Sequence, residues 1–419
     1  MIEIEEKKKC CGCTACVSVC PSKCIVMEKD DEGFDYPHVN VEKCTICNLC
    51  ESVCPVLDRS KALPFVDINK FSSKEDFTKA VIDQTHVLPD AYVVFLKDEM
   101  LRNDSTSGGY FTAIAKNIIA KNGLVYGVEV DYHKNIIHSS ASTCEEFGRF
   151  RGSKYVQSEQ SGIYSDIREN LNSDKWVLYT GTPCQVEGLK CYLGKEYEKL
   201  VTVDIICHGV GSPKYWKKYV DFMEQKYGSE ISKVKFREKT YGYNSPCMAV
   251  YFKNGKSSHK GHDDDLYWTA FSKFYIFRPS CYDCVFKTIN HSADFSVGDF
   301  WNTSDLDEKY RNANGCSLIL VHSTKAQKLL VEISNTIEMV SIDLNKALII
   351  NGGPMPSKLI TSSPVVEKRQ QFMKDMNVLP LDLLTQKYMP LSWKQHLKCM
   401  IKPLLYKIGL LNIAKQLKK

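Results

Sequence analysis

Cys10-Cys11-Gly12-Cys13-Thr14-Ala15-Cys16-Val17-Ser18-Val19-Cys20-Pro21 decides the N-terminal fold. Cys44-Thr45-Ile46-Cys47-Asn48-Leu49-Cys50-Glu51-Ser52-Val53-Cys54-Pro55 repeats it. Both read C-x2-C-x2-C-x3-C-P. Three closely spaced thiolates can cap three irons of a cubane, and the fourth cysteine of each run serves the other cluster. Cys10, Cys13, Cys16 and Cys54 are therefore expected to hold one 4Fe–4S cluster, and Cys44, Cys47, Cys50 and Cys20 a second. Zinc sites more often use paired C-x2-C knuckles, and three-plus-one runs closed by proline do not fit them. Cys11 and Cys24 fall outside the spacing and read as packing residues.

This spacing is similar to that of bacterial ferredoxins, so residues 1–58 are expected to form a ferredoxin-like domain. Its strands are expected at 24–27 and 36–39, around an acidic turn at 30–33. Residues 59–90 read as a linker with one helix near Lys74 to Asp83. From residue 91 apolar runs and helical periodicities alternate, which predicts an α/β or α+β fold built on a mixed sheet across 91–350. Residues 351–390 read as a mostly irregular arm, and 391–419 as a basic amphipathic helix.

Composition narrows the function. Apolar residues make up 43% and charged residues 25% of 419, the balance of a soluble globular chain. The charged start, Met1 to Lys7, is unlike a secretory signal, and no uncharged apolar run approaches the ~18 residues that span a bilayer. Nineteen cysteines in such a chain imply reduced thiols that bind metal, hence a cytoplasmic protein. Residues 1–60 hold eleven acidic and seven basic side chains, and 391–419 hold seven lysines and no acid. No basic stripe interleaved with aromatics marks a nucleic-acid site. The tail helix has two readings: an apolar stripe packed on the core, or peripheral contact with the inner face of an anionic membrane.

Four features of the core carry chemistry. Ser105-Thr106-Ser107-Gly108-Gly109 precedes a helix, where backbone N–H groups suit an anion such as a dinucleotide pyrophosphate or simply cap a turn. Gly181-Thr182-Pro183-Cys184-Gln185 and Cys207-His208-Gly209 follow strands. Cys281-x2-Cys284 precedes Ala293-Asp294-Phe295-Ser296-Val297-Gly298-Asp299-Phe300-Trp301. Cys184, Cys207, Cys281 and Cys284 are either a third four-cysteine site or buried small apolar residues.

Taken with Arg151-Gly152-Ser153-Lys154-Tyr155-Val156-Gln157-Ser158 and Asp204 to Val210, these motifs, in this order, resemble the coenzyme F420 hydrogenase/dehydrogenase beta-subunit family. That family includes F420-reducing subunits of archaeal hydrogenases and formate dehydrogenases, a plant chlorophyll reductase, and bacterial proteins encoded in polysaccharide-synthesis clusters. The resemblance covers nearly all of residues 1–350 and implies an FAD-binding, mixed-sheet domain. It implies a third cluster on Cys184, Cys207, Cys281 and Cys284, and FAD against Ser105, Thr106, Ser107, Gly108, Gly109, Gly152, Ser153, Lys154 and Tyr155. Lys154, His208 and Asp299 become candidate catalytic residues, with Asp294 as a further proton donor or supporting group. The expected reaction runs from a ferredoxin or similar donor, through the clusters and FAD, to an organic acceptor. That acceptor is a small molecule, a lipid-linked sugar intermediate of surface-polysaccharide synthesis, or F420. A rival is an electron-transfer module of a larger hydrogenase or dehydrogenase complex.

Overall fold

The computed structural model describes residues 1–57, 73–83, 88–262, 264–301, 303, 306–311, 314–351 and 363–408. Most of the expected linker, residues 352–362 of the expected arm and the tail beyond 408 lie outside them. Two short strands, β1 (Ile25–Lys29) and β2 (Asp35–Val39), pair antiparallel. The acidic turn between them is closed by Asp30 Oδ1, which accepts from Glu32 N and Phe34 N. The cysteine runs lie on either side of this hairpin.

The large sheet has eight strands: β3 (Asp90–Leu96), β4 (Leu124–Val130), β5 (Ile136–Ala141), β6 (Val177–Gly181), β7 (Leu200–Ile205), β11 (Phe295–Phe300), β12 (Cys316–Val321) and β13 (Ile337–Ser341). Their spatial order is β13-β3-β12-β11-β7-β6-β4-β5. The central strands β4, β6, β7 and β11 run parallel, and the outer pairings are antiparallel, so the sheet is mixed as the sequence predicts. Alternate residues of the strands face opposite sides. Val94, Leu96, Leu178 and Val201 pack under the Tyr110–Ala120 helix, whereas Tyr126, Val177, Tyr179 and Leu200 pack under the helices Ile163–Asn172 and Pro183–Leu193. The last of these helices starts where Pro183 and a reciprocal Thr182–Gln185 capping box allow it.

Strands β8 (Ile231–Glu238), β9 (Cys247–Phe252) and β10 (Ser257–Gly261) form a separate antiparallel sheet. It shares an aromatic core with the Pro213–Tyr227 and Leu266–Ser272 helices. The expected irregular arm is corrected here. Helices Ser363–Met376 and Leu381–Tyr388 stand in it, and Phe372, Met373, Met376, Leu381 and Leu384 are buried in the same core. Their apolar spacing is interrupted by Arg369 and Lys374, which hides its period. The Lys74–Asp83 helix stands where expected.

Candidate functional site

The first cysteine run is buried in the molecule and the second lies nearer its surface. Cys13, Cys16 and Cys50 are buried, while Cys47 is exposed. Burial, then the neighbouring thiols of Cys10 and Cys54, pushes the Cys16 thiol up to about 12. Cys20 Sγ lies 3.4 Å from Cys24 Sγ, and the Cys44 thiol is a further hydrogen-bond neighbour of Cys24. Cys24 thus stands against the second set of thiols. Ile2 N donates to Cys50 Sγ at 3.3 Å.

The first run is locked to the core through its backbone. Arg278, fully buried, donates from Nε to Cys10 O at 2.8 Å, from Nη1 to Gln157 Oε1 at 2.7 Å and from Nη2 to Asp35 O at 2.9 Å. The same Nη2 stands 3.6 Å from Cys10 Sγ. Gln157 Nε2 donates to Cys11 O and Gln160 Nε2 to Cys13 O. Gly12 makes this approach possible: its φ is +72°, and a β-carbon there would stand 2.5 Å from Gln157 Nε2. Gly188 does the same from the core side, where a β-carbon would meet Cys13 Sγ at 2.8 Å.

Beyond this seam lies a small cavity lined by Cys184, Cys207, Cys281, Cys284 and Cys11. Burial drives the Cys207 thiol far up, and the thiols of Cys281, Cys184 and Cys284 push it further. Cys284 is held up to about 12 by burial, then by Cys281 and Cys184. Such a set resists ionising unless a metal compensates the charge, which is the chemistry of an iron–sulfur donor set. Among the described residues no three His, Cys, Asp or Glu side chains converge as the ligands of one ion do. A cubane spreads its thiolates over four irons, so its ligands need not meet at a point. The Cys11 thiol is a hydrogen-bond neighbour of both Cys13 and Cys184, and so spans the seam between the two sets.

A cavity of about 1330 Å³ opens at the carboxyl ends of β6 and β7, the edge where open α/β sheets place their ligands. Its wall includes Ser105, Thr106, Ser107, Gly109, Gly152, Ser153, Lys154, Tyr155, His208 and Asp299. The loop before the Tyr110–Ala120 helix is fixed by Lys239 Nζ, which donates to Arg102 O, Ser107 O and Asn314 O. Ser107 Oγ donates to Cys316 O, and Ser153 N donates to Thr106 Oγ1. Gly109 caps the helix at φ +89° with no side-chain cap, leaving its first amides without one.

Gly108 departs from expectation. Its N–H donates to Ser317 Oγ, and a β-carbon would meet Val94 O at 2.4 Å. Its smallness serves strand packing, and the cavity wall passes it by. Lys154 lines the cavity, but its ammonium donates to the carbonyls of Arg149, Phe150 and Arg151. Burial lowers its pKa to about 7. Asp299 is clamped by Arg237 Nη1 and by the Tyr243 hydroxyl at 3.1 Å. Asp294 lies elsewhere, accepting from Thr202 and Ser323 as a buried tie between β7, β11 and the Thr324–Glu332 helix. His208 borders the cavity, its pKa lowered by burial and then by Lys287.

Residues 9–57 match the family described as 4Fe-4S dicluster domain. Residues 174–345 match the family described as the C-terminal part of the coenzyme F420 hydrogenase/dehydrogenase beta subunit. Residues 174–345 thus form a C-terminal domain of the F420 hydrogenase/dehydrogenase beta-subunit family, behind a 4Fe–4S dicluster domain. The chain is an electron-transfer iron–sulfur protein related to a subunit of an oxidoreductase, with 4Fe–4S clusters in its N-terminal segment. A solved structure, the xenon-derivatised F420-reducing NiFe hydrogenase complex from Methanosarcina barkeri, is 17% identical. The match covers 69% of this chain and 92% of that one, with a TM-score of 0.44. No curated protein matches.

Sequence reasoning missed Arg278, Arg237, Gln160 and the bridging position of Cys11. Arg278 precedes the Cys281-x2-Cys284 pair and Gln160 follows the 151–158 segment, so proximity in sequence to a motif was the available signal. Arg237 sits in a strand with no motif of its own.

Proposed function

We propose that the chain is an iron–sulfur flavoprotein oxidoreductase that passes electrons from a ferredoxin-type donor to an organic acceptor. The observation behind this reading is Cys207, which lines both the thiol cavity and the large cavity. A metal-binding thiol in a shared wall brings an electron centre beside whatever fills the larger space. When bound, 4Fe–4S clusters carry electrons singly, and FAD pairs them for two-electron delivery.

The chain's own residues divide the work. Cys44, Cys47, Cys50 and Cys20 would hold an outer cluster and Cys10, Cys13, Cys16 and Cys54 an inner one. Cys184, Cys207, Cys281 and Cys284 would hold the core cluster. Exposure at Cys47 and burial at Cys13 and Cys16 support that order from surface to core. Arg237 supports an anionic cofactor: it is buried, lines the large cavity, and its Nε and Nη2 make no hydrogen bond among the described residues. Its free donors and the uncapped start of the Tyr110–Ala120 helix suit the FAD pyrophosphate. Asp299 orients Arg237, Lys154 staples the wall at 149–151, and neutral His208 is placed to move a proton at the acceptor. The acceptor we propose is F420 or a sugar intermediate, small or lipid-linked. The partners would be a ferredoxin or the electron-transfer subunits of a larger complex.

The test is anaerobic purification with iron, sulfide and flavin analysis, followed by mixing with reduced ferredoxin. About twelve irons and bound FAD are expected. The double variant Cys281→Ser with Cys284→Ser should keep about eight irons and its FAD, but its flavin should no longer be reduced. Unimpaired flavin reduction in that variant, or zinc in the core site, would overturn the proposal.

A further inference from the structure

The Trp393–Lys407 helix forms part of the wall of the large cavity through Lys394, Lys398, Lys402 and Leu405. Its inner side touches the body of the protein, with Lys402 Nζ 4.6 Å from the centre of the Tyr241 ring and Tyr406 edge-on to the same ring. A stripe beside this wall faces outward. Trp393, Met400, Leu404 and Ile408 are 72, 66, 61 and 64% exposed, and Leu397, 49% exposed, continues the stripe at helical spacing where it meets the cavity wall. The row Lys394, Lys398, Lys402 recurs every four residues along the cavity wall beside this stripe. Among the described residues no helix is long and apolar enough to cross a membrane.

We infer that this helix is a docking surface for an anionic lipid bilayer, which it meets with the cavity mouth at headgroup level. Three observations favour that occupant. Five large apolar side chains aligned in water are the signature of a surface that is covered in use. A lysine row beside the stripe matches the layering of a helix lying in the interface, with apolar side chains in the acyl boundary and ammonium groups among headgroups. Residues 391–419 carry seven lysines and no acid, so the charge complements an anionic surface and repels a second copy of the same helix. This inference does not depend on the redox reading.

The test uses the full chain, loaded with its cofactors, and vesicles of phosphatidylcholine alone or mixed with phosphatidylglycerol. Sedimentation should show binding to the mixed vesicles only, weakening as salt rises. The double variant Met400→Glu with Leu404→Glu, whose positions do not line the cavity, should bind at least tenfold more weakly at unchanged iron content. As a second readout, brominated lipid should quench tryptophan emission in the native protein, and Trp393→Phe should remove that quenching. Absence of binding to mixed vesicles, equal binding to neutral ones, or unchanged binding by the double variant would overturn the inference. So would self-association in sedimentation velocity that the double variant abolishes, because it would assign the stripe to a second copy.

Discussion

Removing the charge of Arg278 should lower the reduction potential of the inner cluster. The guanidinium is fully buried, and it donates to two carbonyls, the Gln157 amide oxygen and a thiol, with no carboxylate among these partners. Its counter-charge is therefore the cysteine set itself. At 3.6 Å from Cys10 Sγ, a full unit charge on that sulfur would be stabilised by about 4–5 kcal/mol at an effective dielectric of ~20. An added electron is shared over the whole centre. Taking half leaves about 2 kcal/mol, or roughly 100 mV for a one-electron couple. The perturbation is Arg278→Gln, with Arg278→Lys as the charge-retaining control. The assay is an anaerobic redox titration followed by electron paramagnetic resonance. One midpoint should fall by roughly 100 mV in Arg278→Gln and by much less in Arg278→Lys. If all midpoints stay in place in Arg278→Gln protein of full iron content, the electrostatic argument fails.

Two further perturbations test the site and its frame. Arg237→Leu leaves the Asp299 carboxylate without its cation and should cost about 3 kcal/mol in urea unfolding as well as weakening FAD binding. Adding Asp299→Asn should restore stability but not FAD affinity, and recovery of both would remove Arg237 from the anion site. The pH dependence of stability should reflect two buried groups of opposite sign. Burial holds His138 at about 4, so between 6.5 and 4 the unfolded chain takes up a proton that the folded one refuses, and stability falls on acidification. Burial raises Asp265 to about 6, so between 6 and 3.8 the folded chain holds the extra proton and partly offsets that loss. Thermal melts of Asp265→Asn should therefore decline more steeply between pH 6 and 4 than those of the native protein, and parallel curves would contradict the assignment.

The sequence carried those parts of the molecule whose chemistry is local. Cysteine spacing is a property of a few consecutive residues, and strand–helix alternation from 91 to 335 shows as a change of apolar period. The closely spaced strands at 231–238 and 247–252 do pair antiparallel, but in a sheet of their own; the large sheet is mixed because β3, β5, β12 and β13 add antiparallel edges to its parallel centre. What stayed hidden depends on distant partners. Gly108 looked like a phosphate-loop glycine, but its neighbour is Ser317, which only the sheet order brings close. Lys154 looked like a catalytic residue facing the cofactor, but the turn at 149–151 folds its carbonyls around the ammonium group. In the tail, lysines and leucines share a face, which blurred the amphipathic split. That face borders a cavity, a circumstance invisible in one dimension.

The hairpin turn between β1 and β2 has a consequence in time. Glu32 is gripped by Arg369, and the backbone oxygen of Glu32 accepts from Ser212 Oγ. The Glu32–Arg369 pair spans 337 residues. At ~5–20 residues per second, a ribosome needs roughly 20–70 seconds between making one partner and the other. Arg278 likewise emerges long after Cys10. During that interval the first cysteine run has left the ribosome while the side chains that will bury it do not yet exist. The part of the molecule made first is thus closed late, and its first cysteine run stands open to iron delivery until the segment carrying Arg278 arrives.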